Sequence, residues 1–87
     1  MDGKSIASFK EKLEKEYNWP ALYVFKFIVP RGKEDEIKNL FIHHEVSEKA
    51  SSKGNYVSIT SKVMAQSSEK VIEYYLAANE VEGVIAL

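Results

Sequence analysis

Between Ala21 and Val29 the chain is apolar on both faces of the strand that its β-branched and aromatic residues favour. The two-residue period of a strand puts Tyr23, Phe25, Phe27 and Val29 on one face and Leu22, Val24, Lys26 and Ile28 on the other. Such a strand belongs in the middle of a sheet, with something other than water over each side. The remaining elements have to be arranged around it.

Before it, Ile6, Phe9, Leu13 and Tyr17 recur at helical spacing, which predicts a helix from an N-cap at Ser5 to about Glu16, closed by Trp19-Pro20. After it, Pro30-Arg31-Gly32 breaks the strand and a short helix is expected over Lys33 to Phe41, with Glu34, Asp35 and Glu36 at its amino end. His43 to Ala50 is polar and reads as an edge strand. The turn cluster Ser51-Ser52-Lys53-Gly54-Asn55 leads into an alternating strand from Tyr56 to Met64, so these two strands form a hairpin. Ser67 can cap a second long helix reaching about Ala78, and Val81 to Leu87 is expected as the last strand.

Eighty-seven residues support one core, so residues 1–87 are read as a single domain with residues 1–18 as an N-terminal helical extension. Without that extension the order is β-α-β-β-α-β. This is the split pattern of an α+β ferredoxin-like sandwich, whose antiparallel sheet runs 4-1-3-2 with both crossover helices on one face. The apolar strand then falls in the centre and the polar strand at an edge, as their compositions require.

Ser51-Ser52-Lys53-Gly54-Asn55-Tyr56, followed by Ser58, Ile59 and a helix with Glu69, Val71 and Tyr75, resembles the YbeD-like family of small bacterial proteins of unknown function. Trp19-Pro20, the aromatic strand through Lys26 and the apolar carboxyl-terminal strand extend the resemblance over roughly residues 9 to 87. The stretch from Arg31 to Lys49 and the last strand are shorter than that family's pattern. The resemblance implies a ferredoxin-like fold likened to ACT-type regulatory domains, with a sensing or adaptor role.

In the 4-1-3-2 order the turn after the first strand, the hairpin tip and the loop before the last strand share one end of the sheet. Arg31, Gly32 and Lys33 would there meet Ser52, Lys53, Gly54 and Asn55, with Asn79 and Glu80 nearby. Cations and free N–H groups in that cluster could receive a carboxylate or phosphate, although solvated turn residues are the commoner outcome. The opposite face offers Leu22, Val24 and Ile28, with Met64, Val84 and Ala86 expected beside them, an apolar patch that needs a cover. Either the N-terminal helix or a second copy of the chain could supply it.

The absence of cysteine removes disulfides, thiolate metal sites and cysteine nucleophiles. His43-His44-Glu45 offers two convergent ligands at most, so no metal or cofactor is expected. No nucleophile elbow is present, which argues against an enzyme. Twelve Lys+Arg against thirteen Asp+Glu, with few aromatics on the open face, argue against nucleic acid. No apolar window is long enough to span a membrane and no signal peptide precedes Ser5, so a cytoplasmic location is expected. The expected function is a non-catalytic ACT-like regulatory module that senses a small anionic metabolite or modulates a partner enzyme. The alternative is a protein-interaction adaptor without a ligand; a homodimer is expected where a second copy, rather than the N-terminal helix, covers the open face.

Overall fold

The computed structural model describes residues 3–87, apart from the side chain of residue 4. Met1 and Asp2, part of the expected extension over residues 1–18, lie outside the described residues. Three α-helices and a four-stranded antiparallel sheet are formed: α1 (Gly3–Glu16), β1 (Ala21–Pro30), α2 (Glu34–Lys38), β2 (Glu45–Ala50), β3 (Tyr56–Ala65), α3 (Ser68–Ala78) and β4 (Ile85–Ala86). The strand order is β2-β3-β1-β4, compatible with the expected 4-1-3-2 read from the opposite edge.

β1 is central because it buries most of one face while pairing along its whole length with β3. Its register with β3 runs from Ala21 opposite Ala65 to Pro30 opposite Tyr56. Phe25, Phe27 and Val29 are no more than 1% exposed, whereas Leu22 and Val24 on the other face are 54% and 51% exposed. The aromatic face is closed by α3 and the end of the first crossover. Phe25 meets the rings of Phe41, Tyr74 and Tyr75 at centroid distances of 5.2 Å each, and Phe41 stacks on Tyr74 at 4.8 Å. Contacts of this kind add about 0.5–1.5 kcal/mol per pair beyond the buried area.

β2 starts at Glu45 rather than His43, β1 and β3 each run one residue further than expected, and three larger differences bear on the packing. α1 begins at Gly3, so Ser5 lies inside the helix rather than at its cap. The first crossover is not one helix through Phe41: α2 stops at Lys38 and tightens into a 3₁₀ turn over Asn39–Phe41, which delivers Phe41 fully buried to the core. The last strand is only Ile85–Ala86, because Val81 and Val84 are held in successive turns after α3 and Gly83 takes a φ of +78°. Ser67 does cap α3, its hydroxyl accepting from the Lys70 N–H at 3.2 Å.

α1 lies on the helix side of the sheet, not over the open face. Leu13 is buried in the core, and Phe9 meets Tyr75 edge-on at 5.5 Å. The buried Ser68 hydroxyl donates to Glu14 Oε1 at 2.6 Å, and Lys10 pairs with Glu69 at 3.3 Å. These contacts tie α1 to the first turn of α3.

The Tyr23 and Tyr75 hydroxyls are 3.0 Å apart under this layer. Burial first, and then the neighbouring phenol, pushes Tyr75 well above the usual tyrosine range, and burial also raises Tyr23. Both phenols are therefore harder to ionise in the fold than in the unfolded chain. Their contribution to stability is complete below the unfolded tyrosine value of about 10 and is lost as pH rises past it. Denaturant midpoints should hold level up to about pH 10 and then fall. Tyr75→Phe should remove most of that alkaline slope, and an unchanged slope would place its origin elsewhere.

Candidate functional site

The hairpin that joins β2 to β3 fixes what the loop end can do. The Gly54 N–H donates to the Ser51 carbonyl at 2.9 Å, the Ser51 N–H to the Tyr56 carbonyl at 2.8 Å, and the Tyr56 N–H also reaches Ser51 Oγ at 3.3 Å. Gly54 has a φ of +74°, and a Cβ there would lie 3.3 Å from the Arg31 guanidinium. Arg31 is tied across the gap, its N–H donating to the Asn55 carbonyl at 3.0 Å. The first two of the three expected loops are thus brought together. From the third, Gly83 rather than Asn79 or Glu80 is shown against Pro30.

The donors of Gly32 and Lys33 have partners within the chain. Gly32 N–H gives its proton to Glu34 Oε2 at 2.7 Å, Lys33 N–H to the Pro30 carbonyl at 3.0 Å, and the Lys33 ammonium pairs with Glu36 at 3.3 Å. The N–H groups of Glu34 itself and of Gly32 hold the Glu34 carboxyl below the usual carboxylate range. A carboxylate of the chain therefore takes the Gly32 N–H. Ser52, Lys53 and Asn55 stand exposed at the hairpin tip.

On the open face the register sets out four rows. Met64 stands beside Leu22; Lys62 between Glu45 and Val24; Thr60 between Ser47 and Lys26; Ser58 between Lys49 and Ile28. Ile85 pairs with Ile28 and so belongs to this face, and Leu87, whose N–H donates to the Lys26 carbonyl at 2.9 Å, follows it by alternation. Val84 and Ala86, expected here, are placed differently. Ala86 is opposite Phe27 on the helix side, beside Tyr75, Leu76 and Asn79, while Val84 packs against the core. The two-residue β4 shifts the phase by one position, and a shift of one exchanges the faces. Met64 is 56% exposed, Ile85 51% and Leu87 62%.

At the hairpin end of the same face a depression of about 500 Å³ is lined by Ile28, Lys49, Ala50, Ser51, Ser52, Tyr56 and Ser58. Of the residues expected to hold an anion, only Ser52 borders it. Lys49, Tyr56 and Ser58 were legible through the hairpin register, since Lys49 opposite Ser58 opposite Ile28 follows from alternation once the turn is fixed. His44, by contrast, is turned to the helix layer, its Nε2 lying 3.2 Å from the Tyr74 hydroxyl. Among the described residues no group of three or more His, Asp or Glu is placed to hold a metal ion, and no helix is long and apolar enough to cross a membrane.

Fold and face together define a small α+β module, helices packed on one side of an antiparallel sheet and an apolar, lysine-bearing surface on the other. A family profile described as protein of unknown function, DUF493, matches residues 14–87, and the chain belongs to that family. No curated protein and no solved structure matches it.

Proposed function

We propose that this chain is a non-catalytic regulatory module that acts by docking another protein on its open sheet face. The reading takes the fold as ferredoxin-like and keeps the YbeD-like, ACT-type resemblance as its regulatory context. One observation carries it: Leu22, Val24, Met64, Ile85 and Leu87 are each more than half exposed on one face, while α1 is packed on the other. Apolar side chains gathered on a single face are the mark of an interaction surface.

Affinity capture with wild-type protein, Val24→Asp and a control at Lys12 on α1 tests the proposal. Circular dichroism would show that all three fold. A stoichiometric partner should be held by wild type and the control and lost with Val24→Asp. Retention by Val24→Asp at the wild-type level would overturn it.

The depression beside Lys49 favours a second reading, in which a small anionic metabolite binds at the hairpin end of the same face. The acid would lie against the Lys49 ammonium and the Ser52 and Ser58 hydroxyls, with Ile28 and Tyr56 as apolar walls. Under that reading a panel of small organic acids contains one that raises the melting temperature of wild type but not of Lys49→Glu. A shift of equal size in both proteins, or in neither, would remove the depression from consideration.

A further inference from the structure

Most of the described lysines on the helix side are paired, Lys12 on α1 being outside the ion pairs, as are Arg31 and Lys53 at the loop end. On the helix side Lys10, Lys15, Lys33, Lys38 and Lys70 each meet a carboxylate within 3.7 Å. On the open face Lys26, Lys49 and Lys62 form no ion pair among the described residues. The carboxylate in the open-face rows of the sheet is Glu45, on the outer strand, and it stands opposite Lys62 without closing a pair. Three ammonium groups against one side-chain carboxylate in these rows make the face basic in a chain whose net charge is −1.

That imbalance selects among covers for the apolar strip. α1 is already used on the far side. A second copy, set face to face across a two-fold axis, would bring Lys26, Lys49 and Lys62 against the same three lysines with only the two Glu45 carboxylates to offset them. Like charges brought together in a desolvating contact oppose association. An acidic partner meets no such opposition, because its carboxylates find free ammonium groups beside the surface its apolar residues bury.

The shape of the strip adds a length. The apolar side chains follow β1 and β4 from Met64 and Leu22 to Ile28 and Ile85, a run of about 20 Å at the usual strand rise with Lys26 inside it. A helix of about four turns spans that distance, and a helix is what covers the other face of this sheet. We infer that the open face receives an acidic amphipathic helix from another protein, its apolar stripe along β1 and β4 and its carboxylates over Lys26 and Lys62. This rests on the docking reading above and specifies the partner's chemistry.

Two synthetic helical peptides of that length test it, one with a leucine stripe flanked by glutamates and one with the same stripe flanked by lysines. Fluorescence anisotropy with the intact protein should show the glutamate peptide binding at least about tenfold tighter, with the preference weakening as salt rises from about 50 to 500 mM. The double variant Lys26→Glu/Lys62→Glu should reverse the order of the two peptides. The neutral pair Lys26→Gln/Lys62→Gln should abolish the preference and guards against a reversal variant that folds poorly. Equal affinities for both peptides, binding of neither, or a concentration-dependent dimer that Val24→Asp dissolves would each overturn the inference. If capture of the natural partner is lost with Val24→Asp yet unaffected by Lys26→Glu/Lys62→Glu, the acidic-helix assignment fails while the docking reading stands.

Discussion

Truncating Phe25 to Ala should cost about 3–5 kcal/mol and leave much of the chain unfolded at ambient temperature. The ring is fully buried and meets Phe27, Phe41, Tyr74 and Tyr75, so its loss opens a cavity bordered by aromatic groups that cannot all move into it. A domain of this size has a total stability on the order of 5–10 kcal/mol, so the loss takes a large share of it. Lys26→Ala, one residue along the same strand but on the open face, should change stability by no more than about 0.5 kcal/mol. Denaturant unfolding of both variants checks the strand phase, and similar losses at the two positions would contradict it.

Gly83→Val should be nearly as damaging, at about 2–4 kcal/mol. Two effects combine there: the backbone sits at φ +78°, and a Cβ would fall 2.6 Å from Cγ and 3.1 Å from Cδ of Pro30. The proline ring belongs to the end of β1 and has little freedom to yield. Gly32 separates the two contributions, because its φ is +101° but a Cβ there meets nothing within 4 Å. Gly32→Val should carry only the backbone strain, about 1–3 kcal/mol. Because Gly83 leads directly into β4, its replacement should also release the Leu87 N–H from the Lys26 carbonyl, seen as faster amide exchange. Equal costs at Gly32 and Gly83 would show that the loop before β4 does not press on Pro30.

The architecture was legible where periodicity was long. Ten residues of β1 and ten of β3 alternate strongly enough to fix their faces, and Ser61 joins the buried face of β3 by the same alternation, with its hydroxyl donating to the Glu45 carbonyl at 2.9 Å. β4 failed that test because two paired residues carry no readable period, and the placement of Val84 and Ala86 failed with it. The expected anion cluster illustrates a different limit. Chain topology brought Arg31 to Asn55, but whether an N–H is free depends on side-chain geometry, and Glu34 turning back to Gly32 has no signature in the sequence. Nor could spacing alone say which side α1 would cover. Its Phe9 and Leu13 stripe would suit either face of the sheet, and the polar ties of Glu14 to Ser68 and Lys10 to Glu69 join residues far apart in the chain.

A docking face exists only if α1 leaves it open. Nuclear Overhauser contacts from the Phe9 and Leu13 side chains measure it directly. The structure predicts cross-peaks from the Phe9 ring to the Tyr75 ring, at the 5.5 Å centroid separation, and from Leu13 to protons of the buried core. It predicts none from either residue to the methyl groups of Leu22, Val24 or Met64. Cross-peaks to those methyls in place of the contacts to Tyr75 would put α1 over the open face and contradict the account.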